Sequence, residues 1–129
     1  MTRFKVKTGL IGLGKWGSIL NDKLKETSIL TYKINSKQNY KKQTKDIDWV
    51  FIATPNGTHF EIVKYFLNQK INVFCEKPLT TSYIHSKYLF DLAKTNNTKL
   101  YVDDVQNYLD IKLSLKNKNF ITRQKKSEG

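Results

Sequence analysis

With 129 residues, the chain has the length of one ordinary domain, enough to bury a real core. Lys and Arg number 23 against 11 Asp and Glu, a formal net charge of +12. The lysines are spread along the whole chain, and no zinc-ligand spacing, helix-turn-helix signal or aromatic-interleaved basic strand accompanies them, so the sequence argues against nucleic-acid binding while leaving a surface that attracts small anions.

Strand and helix patterns alternate along the chain, as in a parallel sheet covered by helices. A first strand is predicted over residues 5–11. It runs into Gly12-Leu13-Gly14-Lys15-Trp16-Gly17, and Trp16, Ile19, Leu20 and Leu24 then recur at helical spacing. A Gly-x-Gly-x-x-Gly between strand and helix suits a dinucleotide. The first glycine allows the tight turn, the second lets the diphosphate approach the backbone, and the third lets the helix pack close to the strand. The free amides and dipole of the helix start would face the diphosphate. A second strand is predicted over residues 29–34. Residues 35–45 are polar and lysine-rich and too few for the usual helix–strand–helix passage, so the sheet should be abbreviated on that side. The run Lys41-Lys42-Gln43-Thr44-Lys45 reads as a solvated loop.

Trp49-Val50-Phe51-Ile52-Ala53 is the apolar run expected of a central strand buried on both faces. A loop follows at residues 54–57. Thr58 with Glu61 reads as a capping box, opening a helix with a buried stripe of Ile62, Val63, Phe66 and Leu67. Another strand is predicted over residues 71–75, with Glu76-Lys77-Pro78 at its C-terminal end. A helix over 82–95 carries Ile84, Tyr88, Leu89, Leu92 and Ala93, and a last strand covers 99–102. Beyond Asp103 the pattern gives a short helix over 106–115, a strand over 119–124 and a frayed tail over 123–129. His85 reads as a surface or cap residue, and His59 as either a first-turn helix residue or a cofactor contact.

The single cysteine, Cys75, reads as a small buried strand residue; it excludes an intramolecular disulfide and suits a reducing compartment. No signal-peptide core follows residues 1–5, and no apolar run approaches the roughly 20 residues of a membrane span, so a cytoplasmic protein is expected. No metal-ligand cluster is read.

In this order of elements, loops 12–17, 54–59 and 76–78 lie at the C-terminal ends of neighbouring parallel strands, the edge where open α/β sheets bind ligands. Ile11-Gly12-Leu13-Gly14, Ala53-Thr54-Pro55-Asn56-Gly57-Thr58-His59 and Glu76-Lys77-Pro78 together resemble the glucose-fructose oxidoreductase / inositol dehydrogenase (Gfo/Idh/MocA) family over roughly residues 6–102. The resemblance implies a Rossmann-like, doubly wound, three-layer α/β domain over residues 1–105 that binds NAD or NADP. Residues 106–129 would be a residual extension where the family has its substrate domain. It further implies an NAD(P)-dependent oxidoreductase that moves a hydride to or from a hydroxyl or carbonyl of a sugar or sugar-nucleotide substrate, with an incomplete substrate site in this chain. A non-catalytic dinucleotide-binding or sensing module is the alternative.

By position in the family motifs, Gly12, Gly14, Lys15, Trp16 and Gly17 would surround the diphosphate. Thr54, Pro55 and Asn56 would lie beside the nicotinamide and its ribose, His59 would close that loop, and Glu76 would lie near the same ribose. Lys77 would be the active-site lysine, joined to Pro78 by a bond that is often cis in relatives. A cation beside the reacting oxygen positions the substrate and shares the proton that leaves as the hydride departs from carbon. The partner acid or base of relatives comes from their second domain, and neither Asp103 nor Asp104 is assigned that role. Relatives associate largely through that domain as well, so the resemblance leaves oligomerisation open. Roughly 20 residues past the glycine loop, NAD-preferring domains place Asp or Glu against the ribose hydroxyls. Here Asn35, Ser36 and Lys37 stand there, a neutral side chain with a hydroxyl and an ammonium, which would tolerate a 2′-phosphate and favour NADP over NAD.

Overall fold

The structure, a computed structural model, describes residues 6–103. The helix, strand, tail and extension expected beyond residue 104, with Asp104 itself, lie outside the described residues, as do residues 1–5.

Strand β1 (Lys7–Ile11) passes through the glycine loop into α1 (Lys15–Thr27), which returns to β2 (Ile29–Ile34). A 3-10 turn at Tyr40–Lys42 is all the regular structure between β2 and β3 (Trp49–Ile52). Then come α2 (His59–Asn68), β4 (Asn72–Glu76), α3 (Tyr83–Thr95) and β5 (Leu100–Asp103). All neighbours pair in parallel, in the order β2-β1-β3-β4-β5. The short passage from β2 to β3 leaves β2 at the sheet's edge, and Ile29, Thr31 and Lys33 are exposed along it.

Successive strand side chains point to opposite faces, and the two faces carry different chemistry. Val50, Ile52, Val73, Cys75 and Leu100 meet Ile62, Val63, Phe66 and Leu67 of α2 and Leu89 and Ala93 of α3. On the other face Leu10, Trp49, Phe51, Phe74 and Tyr101 form a second cluster with Leu20 and Leu24 of α1. These are the three layers of a Rossmann-like fold, and all four residues of β3 are buried between them. The stripe read for α2 is the one the structure buries, with His59 added to it.

One local reading is corrected, and two apolar patterns prove only partly buried. The capping box at Thr58 does not form: a 3-10 turn at Asn56–Thr58 precedes α2, Thr58 has helical rather than extended backbone, and its hydroxyl donates to Pro55 O at 2.7 Å. On α3 only Leu89 and Ala93 are buried, whereas Ile84 and Tyr88 are 75% and 44% exposed. Trp16, read on the same face as Leu20 and Leu24, is 41% exposed.

Candidate functional site

β1 connects to β2 on one side, and the chain then returns to β3 on the other side of β1. The crevice at such a reversal, beyond the C-terminal strand ends, is where α/β sheets take ligands. Here main-chain bonds fix its floor. Gly12 N donates to Ile34 O at 2.8 Å, and Ala53 N donates to Ile11 O at 2.8 Å, so the turn after β1 is tied to the ends of both neighbours. Gly12 has φ +105°, and a Cβ there would run into the Ala53 carbonyl. A Cβ on Gly17 would meet the carbonyl of Gly12, so α1 can start this close to β1 only with glycine at that position. Gly14 differs from both. It is the N-cap of α1, offers no capping side chain, and faces open space with no atom within 4 Å of a Cβ built on it. The first amides of α1, which starts beside this gap, have no acceptor within their own helix.

A cavity of about 320 Å³ lies against the gap, lined by Gly12, Leu13, Gly14, Lys15, Trp16, Ser36, Ala53, Thr54 and Pro55. Among the described residues that line it, the single formal charge is the Lys15 ammonium, whose Nζ sits 5.2 Å from the centre of the Trp16 ring. Seven residues singled out in the sequence thus meet in one cavity: Gly12, Gly14, Lys15, Trp16, Ser36, Thr54 and Pro55. Leu13 and Ala53, which were not singled out, complete it; their place inside the two motifs was the available signal.

Asn35 is not on that lining and folds back on its own turn. Its Oδ1 accepts from Lys37 N at 2.9 Å and Gln38 N at 3.1 Å, while its own N donates to Gln38 Oε1 at 2.9 Å. This Asx turn carries the chain out of β2 with Ser36 toward the cavity and no carboxylate at the strand end.

The second wall is the loop after β3. Thr54 is buried, its Oγ1 2.6 Å from Thr58 Oγ1, and Asn56 is exposed at the loop's tip. His59, the first residue of α2, is fully buried. Its Nε2 is 2.9 Å from Thr54 O and its Nδ1 is 2.8 Å from Pro78 O. At the end of β4, Glu76 is partly buried, Lys77 is exposed, and the Lys77–Pro78 bond is cis. Leu79 anchors that loop in the core, and Ser82 caps α3 by accepting from His85 N at 3.2 Å. The His85 ring is exposed and stacks on Phe60 at 4.4 Å, a surface role. Cys75 is fully buried, and burial followed by the charge of Glu76 pushes its thiol well above its usual range, so it packs as an inert apolar group. No group of three metal-ligating side chains occurs among the described residues, and no helix among them is long and apolar enough to cross a membrane.

Comparison with known proteins agrees with this geometry. The chain matches the family model GFO_IDH_MocA, described as "Oxidoreductase family, NAD-binding Rossmann fold", over residues 19–104. The match begins after the glycine loop, which therefore stands on its own sequence and geometry. An uncharacterized oxidoreductase of Schizosaccharomyces pombe is 40% identical over 70 residues, covering 54% of this chain and 19% of that protein. Among solved structures, myo-inositol 2-dehydrogenase from Lactobacillus plantarum superposes with a TM-score of 0.69 at 22% identity, over 81% of this chain and 38% of that one. Biliverdin reductase from Synechocystis, solved with biliverdin and NADP+, gives 0.66 at 24% identity over 80% and 39%. The chain thus spans about a fifth to two-fifths of the length of these proteins. With strand order, glycine loop and family model in agreement, the chain belongs to the Gfo/Idh/MocA oxidoreductase family, within its NAD-binding Rossmann domain.

Proposed function

We propose that this chain is the cofactor-binding part of an NAD(P)-dependent dehydrogenase, with the diphosphate at the start of α1, the adenosine toward Ser36, and the nicotinamide between Thr54 and Lys77. The observation that carries the reading is the gap at Gly14, beside the first turn of α1 and a cavity whose only charge among the described residues is Lys15. An anion there gains hydrogen bonds from unused amides and the favourable end of the helix dipole. A bound nicotinamide supplies the hydride acceptor or donor. Of the chain's own groups, Lys77 is exposed at the end of β4, where its ammonium can hold the reacting oxygen and ease transfer of its proton. Glu76, partly buried beside it, suits a ribose hydroxyl.

The Asx turn at Asn35, with Ser36 on the cavity and Lys37 following, supports NADP over NAD. Polyhydroxylated substrates of sugar or cyclitol type are the reading that the inositol dehydrogenase favours. The biliverdin reductase of like fold shows why the fold alone does not choose a substrate. A reducing, cytoplasmic location fits the lone buried Cys75.

Titration with NADPH and with NADH, followed by quenching of Trp16 and energy transfer to the reduced nicotinamide, tests the proposal. Saturable binding with NADPH the tighter is expected. Binding of neither by the folded chain would refute it.

A further inference from the structure

His59 is set apart by where its ring goes. It opens α2 beside the candidate site, yet it is fully buried, and it is absent from the cavity lining. Its two nitrogens reach main-chain carbonyls of two separate loops, Thr54 O after β3 at 2.9 Å and Pro78 O after β4 at 2.8 Å. Carbonyl oxygens only accept, so the ring must donate. A neutral ring donates to one of the two, and the doubly protonated ring donates to both. These loops have few other cross-ties to each other among the described bonds: Thr54 and Thr58 bond within their own loop, and Thr80 bonds to Ser82 and to Ser86 of α3. The acceptor atom on the second loop belongs to the residue directly after Lys77.

We propose that His59 is a positioning residue, not a cofactor contact: it holds the Lys77–Pro78 segment at a fixed separation from Thr54–Asn56, so that the two sides of the nicotinamide site form one wall. The inference rests on the dinucleotide reading above. It also separates two halves of the site. The diphosphate floor is fixed by the main-chain bonds of Gly12 and Ala53 and does not need His59. The nicotinamide end does.

The test uses the whole chain, two ligands and two variants. NADPH spans both halves, whereas ADP reaches only the glycine loop and the end of β2. His59→Leu should weaken NADPH about five- to tenfold, the scale of a lost hydrogen bond or two, and leave the ADP affinity unchanged. His59→Gln, which keeps a donor, should lose less, about twofold. If the leucine variant does not fold, the glutamine variant is judged by the same NADPH-against-ADP criterion. Equal weakening of both ligands would mean a general structural role and would overturn the proposal, as would unchanged binding of both. A wild-type chain that binds ADP but not NADPH would instead refute the functional reading on which the inference stands.

Discussion

The three glycines of the loop do three different jobs, and alanine substitution separates them. At Gly14 the backbone sits at φ −74°, ψ −155°, a conformation open to any L residue, and a new Cβ meets nothing within 4 Å. Gly→Ala there restricts the unfolded chain, a gain of about 0.4–1 kcal/mol, and exchanges a favoured N-cap residue for a disfavoured one, a loss of similar size, so the two nearly cancel. At Gly17 the new Cβ overlaps the carbonyl of Gly12, which is backbone held by a 2.8 Å bond from Gly12 N to Ile34 O and cannot swing aside. Either α1 shifts off β1 or the turn breaks, an overpacking cost of about 1–3 kcal/mol. Urea unfolding should therefore place Gly14→Ala within about 0.5 kcal/mol of wild type and Gly17→Ala at least about 1 kcal/mol below it. NADPH titration should invert that ranking for function. The stable Gly14→Ala protein should lose at least about tenfold in affinity, because its methyl group fills the space assigned to the diphosphate. Two results would refute the reasoning: a Gly14→Ala protein destabilised as much as Gly17→Ala, or one that binds NADPH as wild type does. The first would make Gly14 a packing residue, and the second would take the diphosphate out of the gap.

Asn35→Asp should keep the turn, since a carboxylate can still accept from Lys37 N and Gln38 N, but set a negative charge near a 2′-phosphate; NADPH affinity should fall about tenfold relative to NADH. An unchanged ratio would remove the Asn35–Lys37 turn from cofactor choice. Lys77→Met, at an exposed position, should move the unfolding free energy by no more than about 1 kcal/mol and NADPH affinity by less than twofold. Any dehydrogenase activity toward polyols or sugars should drop by about a hundredfold or more, and retention of that activity would end the case for this lysine. Tyr32 packs its ring against Gly9, and its buried hydroxyl has no hydrogen-bond partner among the described residues. Burial, then the charge of Tyr65, raises its pKa far above the ordinary 10.0. The folded chain thus holds a proton that the unfolded chain releases, so the stabilisation is fully present below pH 10 and is lost as pH rises above it. Tyr32→Phe should add about 1 kcal/mol at pH 7 and flatten the decline between pH 9 and 11 in urea-midpoint measurements; a variant as alkali-sensitive as wild type would refute this.

Sequence reasoning succeeded where a residue's own type dictates its place. Ile29–Ile34 alternates and is β-rich, and it forms a strand with the predicted limits. The stripe Ile62, Val63, Phe66 and Leu67 is buried because no other helix face of that segment could be. The glycine loop was legible because its constraint is steric and backbone-borne. The failures share a different cause. A Thr-x-x-Glu pattern caps a helix only if the threonine enters in extended conformation. Pro55-Asn56-Gly57 instead winds into a 3-10 turn that commits Thr58 before the helix begins. Ile84 and Tyr88 obey helical spacing, but periodicity does not say which apolar face meets the sheet. The position of His59 in the first turn of α2 was one of its two readings, but the destination of its ring was not legible, since its acceptors are main-chain carbonyls 5 and 19 residues away, and any residue supplies a carbonyl.

The two sides of the candidate site are held by different kinds of atoms. On the glycine side, position is set by atoms every residue has: amides, carbonyls and the absence of Cβ. Such a wall accepts almost any neighbouring side chain without losing its geometry, and the group proposed to bind there, the diphosphate, is common to both cofactors. On the lysine side, the Pro78 carbonyl that follows the exposed Lys77 meets an imidazole that also reaches the loop after β3, beside the anchor that Leu79 makes in the core. On the proposed reading, affinity and reaction geometry would therefore be carried by different bonds. A substitution that loosens His59 can leave most of the binding energy in place and still move the reacting oxygen out of reach, because misplacement of about 1 Å at a reacting centre costs on the order of a hundredfold in rate. Stability, half-ligand affinity and whole-ligand affinity must then be measured together on each variant, since only their pattern assigns a residue to one wall or the other.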